Sequence, residues 1–301
     1  MDMQNCCTAV AKMMRGSGTK IPQPTHTKGD QMTDSERRAQ FRGLHERDGV
    51  FVMPNPWDIG SARILASLGF EALATTSAGL AWSFGRLDQQ VSRDELVAHT
   101  AALARATPLP LNVDSEGCFA DEPGGVRETV RLLVAAGAAG CSIEDYDPRA
   151  GAILDITTAV ERVAEAAEAA RAVSEPLVLT ARAENHLYGV GDLDDTIERL
   201  LAFRDAGADV VYAPHLTDLD QITRVVAAVG IPVNVLALPG APTVGQLAEV
   251  GVRRVSTGGF LAKAAYGTLL AAASELKDDG TSHYAARGIP SEALGAAFES
   301  D

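Results

Sequence analysis

Residues 136–145 read Ala-Gly-Ala-Ala-Gly-Cys-Ser-Ile-Glu-Asp, and this stretch decides the fold. It follows residues 127–136, an amphipathic run with its apolar positions at helical spacing. Gly137 fits the position just past a helix end, where a left-handed backbone is cheap only without a Cβ. A short apolar strand then begins and stops abruptly at two carboxylates, Glu144 and Asp145. The same joint recurs at Ser67-Leu68-Gly69-Phe70, Ala206-Gly207-Ala208-Asp209 and Val250-Gly251-Val252-Arg253.

Extending this unit along the chain predicts eight strands, at 50–54, 71–76, 109–113, 139–144, 176–182, 209–213, 231–236 and 252–257. Helical runs separate them, among them 157–173, 193–206 and 219–229. Short apolar strands alternating with helices imply a parallel sheet. Eight such units fit a closed (β/α)8 TIM barrel, in the α/β class. The rival, an open doubly wound sheet, lacks its GxGxxG turn after the first strand. Residues 1–32, rich in Gly, Thr, Pro and Lys without periodicity, are expected to form a flexible extension. Residues 33–301 are expected to form one barrel domain with C-terminal helices.

Composition narrows the function classes. The 301 residues carry a formal net charge of −14, which disfavours nucleic acid and anionic membranes as partners. The six histidines include no HxH or HxxxH pair, which argues against zinc. Four cysteines, Cys6, Cys7, Cys118 and Cys141, show no CxxC spacing, as expected of a chain in the reducing cytoplasm.

In such barrels the chemistry lies at the C-terminal strand ends. The third and fourth strands end in Asn112-Val113-Asp114-Ser115-Glu116 and Glu144-Asp145, so two neighbouring strands deliver carboxylates to one point. Clustered like charges call for a cation or shared protons. Asp114, Glu116 and Glu144 form an oxygen set suited to Mg²⁺ or Mn²⁺. Arg182 ends the fifth strand, where its fork suits a substrate carboxylate or an ion pair with Glu144 or Glu184. Thr75-Thr76-Ser77-Ala78-Gly79 is a small-residue turn whose N–H groups can approach an anionic oxygen. Asn234 offers a donor on the far side, and His186 and His215 are candidate acids or bases.

Taken in order, Pro-Asn-Pro-Trp-Asp, Ala-Thr-Thr-Ser-Ala-Gly, Asn-Val-Asp-Ser-Glu-Gly, Ser-Ile-Glu-Asp, Thr-Ala-Arg-Ala-Glu-Asn and Pro-Val-Asn-Val resemble the isocitrate lyase/phosphoenolpyruvate mutase superfamily, from about residue 51 to 270. The resemblance implies an α/β barrel whose last helix swaps between subunits of a homodimer or homotetramer. It implies Mg²⁺, a small 2-oxo-acid or related carboxylate substrate, and an enolate held by metal and oxyanion hole. Carried over by position, Asp114 and Glu144 are metal-site acids and Asp88 an outer acid. Thr76, Ser77 and Ala78 form the substrate turn, Arg182 takes the substrate carboxylate, and Glu184 is its neighbour.

Two departures redirect the expected chemistry. The family's aspartate two residues before Asp114 is here Asn112. The loop that carries the lyases' acid/base cysteine reads Tyr146-Asp147-Pro148-Arg149-Ala150-Gly151-Ala152-Ile153, with neither cysteine nor lysine. Cys141 lies within the preceding strand and cannot replace it. The long Asn-bearing gating loop of the phosphonate mutases is also absent, so neither isocitrate cleavage nor phosphonopyruvate mutation is expected. What remains is a Mg²⁺-dependent carbon–carbon lyase acting on a small 2-oxo or hydroxy carboxylate, with Tyr146, His186 or an acid of the cluster moving the proton. The alternatives are a hydrolase of a C–C or P–C bond and a non-catalytic 2-oxo-acid binder.

Overall fold

The computed structural model describes residues 32–299. The expected extension lies, apart from Met32, outside them, as do Cys6 and Cys7. Helix α1 (Asp34–Glu46) opens the described chain under a Thr33 capping box. Eight parallel strands follow: β1 (Phe51–Met53), β2 (Leu73–Ala74), β3 (Leu111–Asp114), β4 (Gly140–Glu144), β7 (Val178–Arg182), β8 (Val210–Tyr212), β9 (Val233–Leu236) and β10 (Arg254–Ser256). Each falls within one residue of its predicted span. They pair in the order β1-β10-β9-β8-β7-β4-β3-β2. The seam between β1 and β2 is bridged by the Ala74 N–H, which donates to Pro54 O at 3.0 Å. A nearly closed parallel barrel results.

The helices between strands are α2 (Ile59–Ser67), α3 (Ser77–Ser83), α4 (Arg93–Ala106), α5 (Gly125–Ala135), α6 (Ile156–Ala170), α7 (Leu193–Asp205), α8 (Leu219–Val229) and α9 (Val244–Glu249). The joint glycines behave as expected: Gly69, Gly137, Gly207 and Gly251 have φ of +84°, +93°, +108° and +86°. One element escaped prediction. Residues 146–153 form a hairpin, β5 (Tyr146–Asp147) against β6 (Ala152–Ile153), just beyond β4. Tyr146-Asp147 and Ala152-Ile153 lie in no apolar or alternating run, so nothing local marks them as strands.

Strand alternation divides the core. Outward residues such as Val113, Cys141, Ile143, Leu179 and Val211 pack under the helices. Inward residues at the strand starts, including Phe51, Val178 and Val210, pack on Phe41 and Leu44 of α1, which plugs the base. Inside the barrel Arg254, 2% exposed, donates to Asn234 Oδ1 (2.9 Å) and Thr180 Oγ1 (3.0 Å) and meets His45 Nε2 at 3.2 Å. An arginine can only donate, so His45 Nε2 accepts and Nδ1–H donates to Phe41 O at 2.8 Å. Burial and then the Arg254 charge lower the His45 imidazole to about 3, so this histidine is neutral.

After β10 come α10 (Phe260–Asp279), a short 3-10 turn (His283–Arg287) and α11 (Ser291–Phe298). Helix α11 packs on α2, and Arg63 Nη1 donates to Phe298 O. Helix α10 leaves Tyr266, Leu269, Leu270 and Leu276 exposed. Among the described residues no helix is long and apolar enough to cross a membrane.

Candidate active site

Register places the site. Glu144 aligns with Arg182, Arg182 with Tyr212 and Tyr212 with Asn234, while Asp114 aligns with Ser142 and Thr180. Register therefore sets Glu144 and Arg182 side by side, with Asp114 two residues lower on β3, from where its side chain still reaches the guanidinium. The Arg182 guanidinium meets Asp114 Oδ1 at 2.6 Å, Glu184 Oε1 at 2.8 Å and Glu144 Oε2 at 3.0 Å, and lies over the Tyr212 ring. One buried cation therefore faces three carboxylates.

Each acid has further support. Asp114 Oδ2 accepts from the Ser77 N–H and hydroxyl, both at 3.0 Å, and its own N–H donates to Thr75 Oγ1. Glu144 Oε1 accepts from Gln89 Nε2 at 2.8 Å. The Glu184 N–H donates to Asp145 Oδ1, and Asp145 is paired with Arg199 at 3.0 Å. Asp145 is thus a structural brace rather than a member of the cluster.

The charge excess appears in proton affinities. Burial raises the Glu144 and Glu184 carboxyls, and Arg182 offsets this only in part. Glu116 is pushed up to about 8, by burial first and then by Asp114 and Asp88. Asp88, in the loop after α3, is raised too, by desolvation first and then by Asp114. Glu116 also has φ of +50°, a left-handed conformation unfavourable for a residue with a Cβ. Its carbonyl accepts the Glu144 N–H at 3.0 Å, which ties the β3 turn to the end of β4.

The remaining expected residues fall in different places. Thr76 caps α3, its Oγ1 accepting the Gly79 N–H, and Ala78 follows in the first turn. Tyr146 starts the hairpin and stacks on Tyr188, with ring centroids 4.3 Å apart. Asn234 is buried below the mouth, with its amide between Arg254 and Ser256. His186 lies half-buried in the turn after β7 with no side-chain hydrogen bond among the described residues, and His215 is exposed. Neither histidine shows a hydrogen bond or ion pair to the acids among the described residues. Gln89 and Arg254 join the site or its floor without having been anticipated, and no local motif marks them; Tyr212, at the polar end of β8, lies under the Arg182 guanidinium.

A hard cation suits this donor set. Mg²⁺ keeps several waters and needs only one or two carboxylates. The surplus of buried carboxylates over Arg182 is the charge it would balance. Asn112, in place of the family's aspartate, is buried with Oδ1 lacking a hydrogen-bond partner, so the strand adds a neutral oxygen where a charge is usual. Among the described residues no three acidic, histidine or cysteine side chains form a ready-made cage.

A parallel α/β barrel with carboxylates and an arginine at its C-terminal strand ends defines an enzyme-type scaffold for small anionic substrates. The phosphoenolpyruvate phosphomutase family model matches residues 41–277, and the chain belongs to that family, within the phosphoenolpyruvate mutase/isocitrate lyase superfamily. A crystallised protein of Burkholderia cenocepacia J2315, described as a lyase/mutase, is 50% identical with a TM-score of 0.85, over 89% of this chain and 97% of its own. An oxaloacetate decarboxylase of Paraburkholderia xenovorans is 33% identical over 68% of this chain and 69% of its own. The structure of an oxaloacetate acetylhydrolase bound to oxalate matches with a TM-score of 0.79 at 25% identity, over 87% of this chain and 94% of its own.

Proposed function

We propose that the protein is a Mg²⁺-dependent carbon–carbon lyase acting on a small 2-oxo or hydroxy carboxylate through an enolate. The observation that carries this reading is Arg182 among Asp114, Glu144 and Glu184 at adjacent strand ends. A guanidinium so placed exchanges one carboxylate partner for the substrate's own carboxylate. Asp114 and Glu144, with Glu116 beside them, would hold the Mg²⁺ or Mn²⁺, which when bound supplies positive charge at the reacting oxygen. The Thr76–Ala78 turn presents backbone N–H groups to that oxygen once Ser77 releases Asp114. Tyr146, which lines the adjoining cavity, moves the proton in place of the missing cysteine loop. The exposed apolar row of α10 supports the expected helix exchange in a homo-oligomer. We assign the protein to the cytoplasm.

The test is a panel of 2-oxo and 2-hydroxy acids assayed with Mg²⁺ and with EDTA, for the wild type and Asp114→Ala. The expected result is pyruvate- or oxalate-like product, lost with EDTA and with the substitution. Turnover that persists in either condition refutes the reading. The likeness to the oxaloacetate acetylhydrolase favours one second reading, hydrolysis of a C–C bond. Reaction in ¹⁸O-water separates the two, because only hydrolysis places the label in a product carboxylate.

A further inference from the structure

A cavity of about 340 Å³ adjoins the acid–arginine cluster and runs beneath the hairpin. That size falls in the range of pockets that enclose whole organic ligands, roughly 300–1,000 Å³. Two of its lining residues hold Glu144 directly. Gln89 Nε2 donates to Glu144 Oε1 at 2.8 Å, and the Glu116 carbonyl accepts the Glu144 N–H at 3.0 Å. The other carboxylate oxygen of Glu144 meets Arg182 at 3.0 Å. One carboxylate and two hydrogen bonds therefore separate the cavity wall from the guanidinium. Val91, Glu116 and Phe119 are also shared with a tight cleft that reaches Ser77 and Asp114.

Beside Glu116, the wall next to the cluster is uncharged: Gln89, Val91, Gly117, Phe119 and Tyr146. Further out the charges answer one another. Arg149 pairs with Asp121 at 2.9 Å, and Glu122 with Arg93 at 3.4 Å. Asp147 Oδ1 accepts from the N–H groups of Arg149 and Ala150 within its own turn. Arg162 of α6 has no hydrogen-bond or ion-pair partner among the described residues, but it is only half-buried, so solvent reaches it. An anion entering past Glu116 would meet the acid cluster with no cation on the adjacent wall. An alkyl or aryl group would instead leave water for Val91, Phe119 and the Tyr146 ring, which breaks no ion pair.

The smallest acids, held at Arg182, would leave this cavity to water. We propose that the cavity takes an uncharged alkyl or aryl substituent of the substrate, so that the site prefers extended 2-oxo or hydroxy acids to the smallest ones. This rests on the 2-oxo or hydroxy acid reading for the carboxylate at Arg182, and adds to it the class of side chain that the substrate carries.

The test measures binding by calorimetry with saturating Mg²⁺ for pyruvate, 2-oxohexanoate and 2-oxoadipate, the last carrying a carboxylate in place of the terminal methyl group. Each buried methylene tightens binding about fourfold, and 2-oxohexanoate has about three carbons to bury beyond pyruvate. The wild type is expected to bind 2-oxohexanoate more tightly than pyruvate by about tenfold or more, and to lose that gain with 2-oxoadipate. Ala120→Phe and Arg162→Trp add bulk to the cavity from two different elements, the second without breaking an ion pair. Each is expected to bring the ratio of the 2-oxohexanoate and pyruvate affinities down to about one. A ratio that survives both substitutions, a wild type without it, or 2-oxoadipate bound as tightly as 2-oxohexanoate overturns the cavity's role and leaves the first-carboxylate reading standing. A wild type that binds none of the three acids overturns both.

Discussion

Replacing Arg182 with Gln tests the electrostatic logic of the site most directly. The side chain is 16% exposed and contacts Asp114, Glu144 and Glu184 within 3.0 Å. Its loss leaves the buried Glu144 and Glu184 and the half-buried Asp114 without their shared cation. Removing one partner from a buried pair costs about 3–5 kcal/mol, a large share of the roughly 5–15 kcal/mol that holds a domain together. The acids limit this loss by taking up protons. Glu144 and Glu184 already sit above the usual carboxylate range, and without Arg182 they rise further. A carboxyl raised in the folded state binds more protons there than when unfolded, so stability falls as pH rises through that window. The Arg182→Gln deficit in metal-free protein should therefore be largest near pH 8 and shrink toward pH 5. Urea unfolding at both pH values measures it. Arg182→Lys, a point charge without the fork, should recover part of the loss at pH 8. A deficit below about 1 kcal/mol, or one that is the same at both pH values, would refute the account, since an uncompensated buried charge costs more than that and must respond to protons.

Three further outcomes are expected. His45 is lowered to about 3 in the fold against an ordinary 6.5, so the unfolded chain binds the extra proton and stability is lost as pH falls from 6.5 toward 3. Its share at pH 5 is about 2 kcal/mol, read as the difference in pH dependence between wild type and His45→Gln, and an NMR titration of His45 near 6.5 would contradict it. Glu116, raised to about 8, has the opposite sign: metal-free protein should lose about 1.4 kcal/mol per pH unit between 4.5 and 8 through this group, a loss that Glu116→Gln removes. Gly79→Ala would put a Cβ 2.5 Å from Thr76 Cγ2 and 2.9 Å from Trp57 Cβ, so a cost of about 1–3 kcal/mol in thermal unfolding is expected, with weakened 2-oxo-acid binding as the turn shifts.

Much of this was legible because barrels repeat one local rule. Gly137, Gly207 and Gly251 mark strand starts by a conformation only glycine adopts cheaply, and each strand's polar end follows a few residues on. Asp114, Glu144 and Arg182 could therefore be placed together by counting strands. Side chains that meet across many residues could not. Gln89 reaches Glu144 from a loop 55 positions away, and Arg254 reads in sequence like any basic residue within a strand. Only the barrel's stagger, with Arg254 opposite Phe51 on one side and Asn234 on the other, turns it inward.

The closure of the barrel also sets an order on the chain's birth. Strand β1 pairs with β10, and His45 meets Arg254 across 209 residues. At about 5–20 residues per second, the ribosome takes about 10–40 s to supply the second partner after the first. Through that interval Phe41, Leu44 and Phe51 have made their turn of the tunnel while the strand that will complete their surroundings does not exist. The free edge of β1 is a template for pairing with a neighbouring nascent chain. Crowded polysomes and fast overexpression should therefore favour aggregation of unfinished chains, and slower synthesis should raise the yield of closed barrels.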